Sequence, residues 1–359
     1  MTATPSTLDE GRIEQFMQQT FGSYIGGMVT LMIDLGYRTG LFEAAAAGSA
    51  TSSELAARAG LQERYVREWL GAMVTSGVIG YDPLSAAYTL PLEHAVCLTG
   101  EGASNIARLS LFTSMLGKHV GAVATAFREG GGVPYSKFRP EFTDVMDTMS
   151  RNVFDESLVN GLLPLAPGVT ELLTSGARAA DVGCGTGHAL VLLAKAFPAS
   201  TFVGYDLAED AIARARAEAA EAGLTNVSFE VCDVAHLSVD KPFDVIFSFD
   251  TIHDQVDPAA VLANIHAALV AGGPYVMVEP YSSSNLEDNV GNPIAPLMYA
   301  VSTLHCMTIS LAHGGAGLGT AWGEQRARQM LADAGFGEVT VNPAPGDPLD
   351  AVYVTNRPA

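Results

Sequence analysis

Asp181-Val182-Gly183-Cys184-Gly185-Thr186-Gly187 places three glycines at alternate positions behind an acidic residue. Glycines at that spacing let a backbone turn tightly and approach a ligand closely. A nicotinamide-binding GxGxxG fingerprint needs a sixth-position glycine, where this chain has His188. No lysine follows the glycines as a phosphate-binding loop requires. Asp206, in Tyr205-Asp206-Leu207, lies 19 residues past Gly187, and a carboxylate there suits the paired hydroxyls of a ribose. Asp233, in Cys232-Asp233-Val234, offers an acceptor for the exocyclic amine of a base, and Ser248-Phe249-Asp250 closes the set. Together these residues describe a pocket for a nucleoside without a phosphate. Cys184, Leu207, Val234 and Phe249 flank it as candidate lining residues.

These residues need strand ends and helix starts to hold them. Strand-like runs at Ala179–Val182, Thr201–Tyr205, Val227–Cys232, Phe243–Ser248 and Tyr275–Glu279 alternate with helices that include Leu207–Ala222 and Pro258–Val270. That alternation predicts a parallel sheet covered on both faces. A long insertion, 281–322, follows the fifth strand. The pattern then resumes with a helix at Glu324–Ala334 and strands at Glu338–Val341 and Ala351–Val354. An insertion after the fifth strand lies at the carboxyl ends, where open α/β sheets bind ligands.

The first hundred residues read differently. Apolar positions at helical spacing run from Met28 to Phe42. Thr51-Ser52-Ser53-Glu54 is a capping box opening a short helix that stops at Gly60. A second helix, Glu63–Thr75, carries Val66, Trp69, Leu70 and Met73 on one face. Val78–Tyr81 and Tyr88–Leu90 around Asp82-Pro83-Leu84-Ser85 read as a hairpin. This is the order of a winged helix. Residues 100–175 read as mostly helical, broken by the loop Gly130–Tyr135.

The chain has 359 residues and a formal net charge of −20, with 19 Lys and Arg against 39 Asp and Glu. That balance argues against a protein built to hold nucleic acid or anionic lipid. Residues 30–95, the winged helix, carry seven acids and four arginines, and the hairpin has no basic residue, whereas a groove-reading domain presents a basic face. Four cysteines without CxxC spacing make neither a disulfide scaffold nor a zinc site. The N-terminal residues have no basic stretch leading into an apolar core, and no apolar run reaches the roughly 20 residues of a membrane span. A soluble cytoplasmic protein is the expectation.

Residues 178–280 resemble the core of a class I S-adenosylmethionine-dependent methyltransferase: the acidic-x-Gly-x-Gly-x-Gly loop, Asp206 and Asp233 match in order and spacing. No His, Asp or Glu group shows metal-ligand spacing, so a metal-independent enzyme is expected. The resemblance implies S-adenosylmethionine as cofactor. Asp181 and the glycines would hold its methionine part, Asp206 its ribose and Asp233 its adenine. Asp250-Thr251-Ile252-His253-Asp254 is similar to the His-Asp pair of winged-helix small-molecule O-methyltransferases, which implies His253 as general base and Glu279 as its orienting carboxylate. A hydroxyl acceptor must lose a proton, and an imidazole suits that task. The departures are the missing aromatic residue after the Asp and the Gln255-Val256-Asp257-Pro258 that follows. A His253 that only packs at the pocket wall is the alternative.

The resemblance extends over nearly the whole chain, including a bacterial branch labelled as possible transcriptional regulators. It implies an α/β architecture in three parts. Residues 1–99 would be a winged-helix dimerisation domain with an N-terminal arm. Residues 100–175 would be a helical linker contributing to the acceptor pocket. Residues 176–359 would be a Rossmann-like seven-stranded catalytic domain with insertion 281–322. Tyr135, Met298 and His305 are candidate acceptor contacts, with packing as the alternative, and His188 is expected to be structural. The expected activity is methyl transfer to a small molecule, through a hydroxyl, in a homodimer. The competing readings are a nucleoside-sensing regulator and an N- or C-methyltransferase that needs no base.

Overall fold

Thr51 and Glu54 satisfy one another's orphan groups: the Thr51 hydroxyl accepts the Glu54 amide and the Glu54 carboxylate accepts the Thr51 amide. The capping box thus starts a helix where the sequence places it. The computed structural model describes residues 8–359 and divides into two units after Ser114. Residues 1–7 of the expected N-terminal arm lie outside the described residues.

In the first unit α1 (Glu10–Arg38), α2 (Leu41–Ala46), α3 (Ser52–Ala59) and α4 (Glu63–Thr75) precede a hairpin of β1 (Gly80–Asp82) and β2 (Ala87–Thr89), then α5 (Leu92–Leu98). This is the winged helix. The helical run expected from Met28 to Phe42 is split at Thr39 and Gly40, with the backbone turning left-handed at Gly40. Phe42, Leu55, Val66, Leu70 and Met73 form the core with Trp69, whose indole N–H donates to the Met32 carbonyl at 2.8 Å. The N-terminal part of α1 is uncovered: Phe16, Met17, Phe21, Tyr24 and Met28 are each about two-thirds exposed.

α6 (Ser110–Gly117) spans the division. The second unit continues with α7 (Val120–Glu129), α8 (Glu141–Ser157) and α9 (Val169–Ser175). Gly130–Tyr135 forms the predicted break between α7 and α8. Five parallel strands follow: β3 (Arg178–Val182), β4 (Thr201–Asp206), β5 (Val227–Val231), β6 (Val245–Phe249) and β7 (Pro274–Pro280). Between them run α10 (His188–Ala196), α11 (Glu209–Glu221) and α12 (Pro258–Ala268). The insertion folds as α13 (Leu286–Asn289), α14 (Ala295–Val301) and α15 (Met307–Leu311), with a π-turn at Ser302–Cys306 joining the last two. α16 (Gly323–Asp333), β8 (Thr340–Pro343) and β9 (Asp350–Asn356) complete the unit.

The sheet order is β5-β4-β3-β6-β7-β9-β8, with β9 antiparallel to both neighbours. The expected seven strands are present, displaced by one or two residues at their ends. Phe243 precedes β6 rather than opening it, because it forms only an isolated bridge to Leu269. Apolar clusters cover both faces, as a parallel sheet requires. The order reverses at β3, between β4 and β6, so the carboxyl ends of those strands open a crevice.

Candidate active site

The glycine loop leaves β3 and folds back onto β4. Gly183 and Cys184 both donate to the Tyr205 carbonyl, at 2.8 and 2.9 Å. Gly183 has φ +79°, and a Cβ there would overlap the Thr251 side chain. Only glycine meets both demands. The Asp206 carboxylate clamps the loop: one oxygen accepts the Gly185 amide and the other the Ala208 amide, each at 2.8 Å. A Cβ at Gly185 would point into open space. Asp181 is buried, and its Oδ1 has no hydrogen-bond partner. Burial first, and then the Asp206 charge, pushes the Asp181 carboxyl well above the usual range. The structure therefore brings Asp181, the three glycines and Asp206 together, with one buried carboxyl oxygen of Asp181 left without a hydrogen-bond partner.

The other candidate nucleoside contacts are less tightly joined. Asp233 caps its own 3₁₀ turn, accepting from Ala235 at 3.0 Å and facing His236 at 3.1 Å. Val234 is buried, Leu207 is 62% exposed and Cys184 is half-buried. Phe249 ends β6 against Phe154, ring centres 5.0 Å apart. His188 is structural, as expected: its ring nitrogens lie 2.6 Å from Glu218 and 2.9 Å from Asp155. Thr186 donates to Asp147 at 2.5 Å, and Arg151 grips Asp147 and Glu218. These contacts tie α8 to the glycine loop.

Beyond the cradle, β6 and β7 deliver a buried pair from positions 26 residues apart. His253 Nδ1 lies 2.7 Å from Glu279 Oε2. Glu279 Oε1 accepts the Thr251 and Ile252 amides at 3.1 and 2.7 Å. Burial works against a charge on His253, but Glu279 and Cys306 outweigh it, and the imidazole is raised well above 6.5 rather than left near neutrality. Asp250 and Asp254 sit close by; burial raises each carboxyl to about 7, with the His253 charge pulling the other way.

Sequence reasoning put Asp250 at the edge of the nucleoside pocket and assigned no role to Asp347 or Asp350; all three line one cavity with Phe154 and Phe249. Asp350 opens β9 opposite Pro280, a pairing that no local pattern announces. Asp250 holds φ +51°, a conformation uncommon outside glycine and often functional.

Of the acceptor candidates, Tyr135 and His305 are together. His305 is fully buried, stacked on Phe142 at 3.7 Å, with Phe138 and Tyr135 edge-on at 4.6 and 6.1 Å. Burial raises the Tyr135 hydroxyl, and the Asp206 and Asp254 charges add to the effect. Met298 is buried in α14, its carbonyl accepting the Thr320 hydroxyl at 2.6 Å. The Gly130–Tyr135 loop is fixed to the insertion: the Val133 amide donates to Thr308 Oγ1 at 3.0 Å, and a Cβ on Gly132 would overlap the Thr308 carbonyl. Among the described residues no cluster of His, Cys, Asp or Glu is arranged to hold a metal, and no helix is long and apolar enough to cross a membrane.

Residues 173–335 match the methyltransferase domain family, and residues 27–100 match the Rv2258c-like winged HTH domain family. The chain carries a methyltransferase domain behind a winged helix. A trans-aconitate 2-methyltransferase of Methylobacterium nodulans is 30% identical over 130 residues, 36% of this chain and 46% of that protein. The match thus spans under half of the relative's length. Among solved structures, the mitomycin 7-O-methyltransferase MmcR superposes with a TM-score of 0.72 at 17% identity, covering 97% of this chain and 100% of the other. Human N-acetylserotonin methyltransferase, solved with SAM, gives 0.69 at 15% identity, covering 99% and 100%. At those identities the likeness is one of fold, and it extends over both parts of the chain.

Proposed function

We propose that this protein transfers the methyl group of S-adenosylmethionine to a hydroxyl of a small molecule. The observation that carries the reading is the buried His253–Glu279 pair standing next to a glycine cradle with an unpaired carboxylate. The residues fit the cofactor. Asp181 Oδ1 lacks the donor that an amino-acid ammonium brings, and Asp206 keeps a second lone pair on each oxygen for ribose hydroxyls. Asp233 keeps the same capacity for an adenine amine. When bound, S-adenosylmethionine supplies an electrophilic methyl group on sulfur. The chain's own part is to hold the acceptor oxygen in line and remove its proton. His253 takes the proton, and Glu279, fixed by two backbone amides, stabilises the imidazolium that results.

Calorimetric titration of S-adenosylhomocysteine into wild type and Asp206→Ala tests the cofactor assignment. Micromolar binding, abolished by the substitution, is expected. A folded wild type that ignores S-adenosylhomocysteine and instead shifts DNA in a salt-sensitive manner would replace this reading with that of a regulator.

The apolar stripe on α1, exposed from Phe16 to Met28, supports self-association through the first unit. Four unpaired cysteines suit the reducing cytoplasm.

A further inference from the structure

α8 and α11 face one another with matched charge. On α11, Asp210, Arg214 and Glu218 recur at every fourth position, which puts them on one face. On α8, Asp144, Asp147, Arg151 and Asp155 recur every third or fourth position, and Arg139 precedes the helix. The two strips pair in order. Arg139 pairs with Asp210. Arg214 reaches Asp144 at 2.6 Å and Asp147 at 3.3 Å. Arg151 reaches Glu218 at 2.8 Å. Slipping α8 by one turn in either direction would set Arg151 or Arg139 against Arg214, like charge on like. Partly exposed ion pairs add little stability singly, but an alternating row of them selects one register. Burial favours the neutral acid at Glu218, yet His188 and Arg151 hold its carboxyl down to about 2, so this part of the row stays charged at neutral pH.

That register delivers one carboxylate to the glycine loop. The first half of the loop is anchored on β4, through Gly183, Cys184 and Gly185. The second half is anchored on α8. Thr186, buried between Gly185 and Gly187, donates its hydroxyl to Asp147 Oδ1 at 2.5 Å. The same oxygen accepts from Arg151 at 2.9 Å. Asp147 Oδ2 accepts from Arg151 and from Arg214, each at 3.3 Å. Four hydrogen bonds hold this carboxylate in one orientation. His188, which opens α10 directly behind the loop, is gripped by Glu218 and Asp155 of the same strips.

We propose that Asp147 is a positioning residue for the methyl donor: it fixes the second half of the glycine loop through Thr186, and the α8–α11 ion pairs that orient it thereby set donor affinity. The inference rests on the S-adenosylmethionine reading above and adds to the donor site a residue from outside the strand ends. Its contribution is preorganisation. A glycine-rich loop gives up much conformational freedom when it closes on a ligand, and a loop already fixed at Thr186 has less to give up. Asp147 touches the donor nowhere in this account; it acts through one hydroxyl.

Calorimetric titration of S-adenosylhomocysteine into the full-length protein tests the role, with thermal unfolding of ligand-free protein as the control for folding. Thr186→Val removes the hydroxyl and keeps the shape; affinity should fall about tenfold, the effect of one hydrogen bond to a charged group. Thr186→Ser keeps the O–H and should bind within about twofold of wild type. Asp147→Asn keeps the shape but loses the charge that Arg151 and Arg214 orient, and should also weaken binding about tenfold. Thr186→Val combined with Asp147→Asn should bind no more weakly than the weaker single variant, since both act through one bond. Wild-type affinity in Thr186→Val overturns the proposal. So do equal losses in Thr186→Ser and Thr186→Val, and so do losses that multiply in the double variant. Should Thr186→Val or Asp147→Asn fail to fold, Thr186→Ala against Thr186→Ser decides by the same measure. A folded wild type that does not bind S-adenosylhomocysteine overturns the methyltransferase reading, and the proposal falls with it.

Discussion

His253 Nδ1 and Glu279 Oε2 stand 2.7 Å apart in a region closed to water, and the second oxygen of the same carboxylate is held by two backbone amides. Glu279 therefore has one orientation, and it gives the imidazole one tautomer. Removing its charge while keeping its shape should uncouple the two roles. Glu279→Gln is expected to lower kcat by about 10²–10⁴, the usual range for positioned proton transfer, with S-adenosylhomocysteine affinity unchanged. Steady-state kinetics beside calorimetry would show this.

The pH profile follows from the same pair. A base works only when neutral, and His253 is raised well above 6.5. Activity should therefore climb with pH through a point above that value, because the protonated, inactive fraction falls. Glu279→Gln removes the charge that favours imidazolium, so the inflection should move to lower pH. An unchanged inflection in kcat against pH would count against His253 as the proton acceptor.

Asp181 sets stability against binding. Its carboxyl is raised by burial, so holding it ionised costs folding free energy at every pH above the ordinary aspartate value of about 3.9. Ligand-free protein should gain stability as pH falls from neutrality toward that value, since the native state takes up the proton first. Asp181→Asn should raise the Tm of free protein, by about 2–4 °C per kcal/mol relieved, and should weaken S-adenosylhomocysteine by tenfold or more. Calorimetric scanning with and without ligand measures both.

Gly183→Ala should fail for two separable reasons, the left-handed φ and the overlap with Thr251. The expected loss is about 1–3 kcal/mol from backbone strain alone, with more from the overlap. Gly183→Ala with Thr251→Gly should recover only the second part in urea unfolding.

The α1 stripe predicts that Phe21→Asp disperses an assembled form into protomers. Sedimentation velocity at matched concentrations would detect the change. A wild type already monomeric would remove the need for any partner on that face.

Legibility followed the range of the interactions. The Thr51–Glu54 cap, the helix Glu63–Thr75 and the alternation of strands are written in neighbouring residues, so each was found within a residue or two. The cradle was legible because three glycines and two strand-end aspartates keep fixed spacing. Glu279 was reached through resemblance, and the 2.7 Å contact with His253 depends on β6 and β7 being neighbours in the sheet. Cys306 and Asp350 were not legible. Cys306 lies buried beside His305 in a π-turn that no local spacing announces, and Asp350 reaches the cavity only because β9 runs backwards between β7 and β8.

Gly132, lying under the Thr308 carbonyl, makes the loop after α7 and the insertion after β7 a single wall, although 175 residues separate the bonded pair Val133 and Thr308. A lineage acquiring a new acceptor therefore has two stretches of sequence to rewrite in concert, because a side chain gained at one lifts the other. The strand ends that grip the donor can stay untouched while this happens. Chimeras that swap residues 130–142 and 281–322 together should keep folding, and those that swap either alone should not.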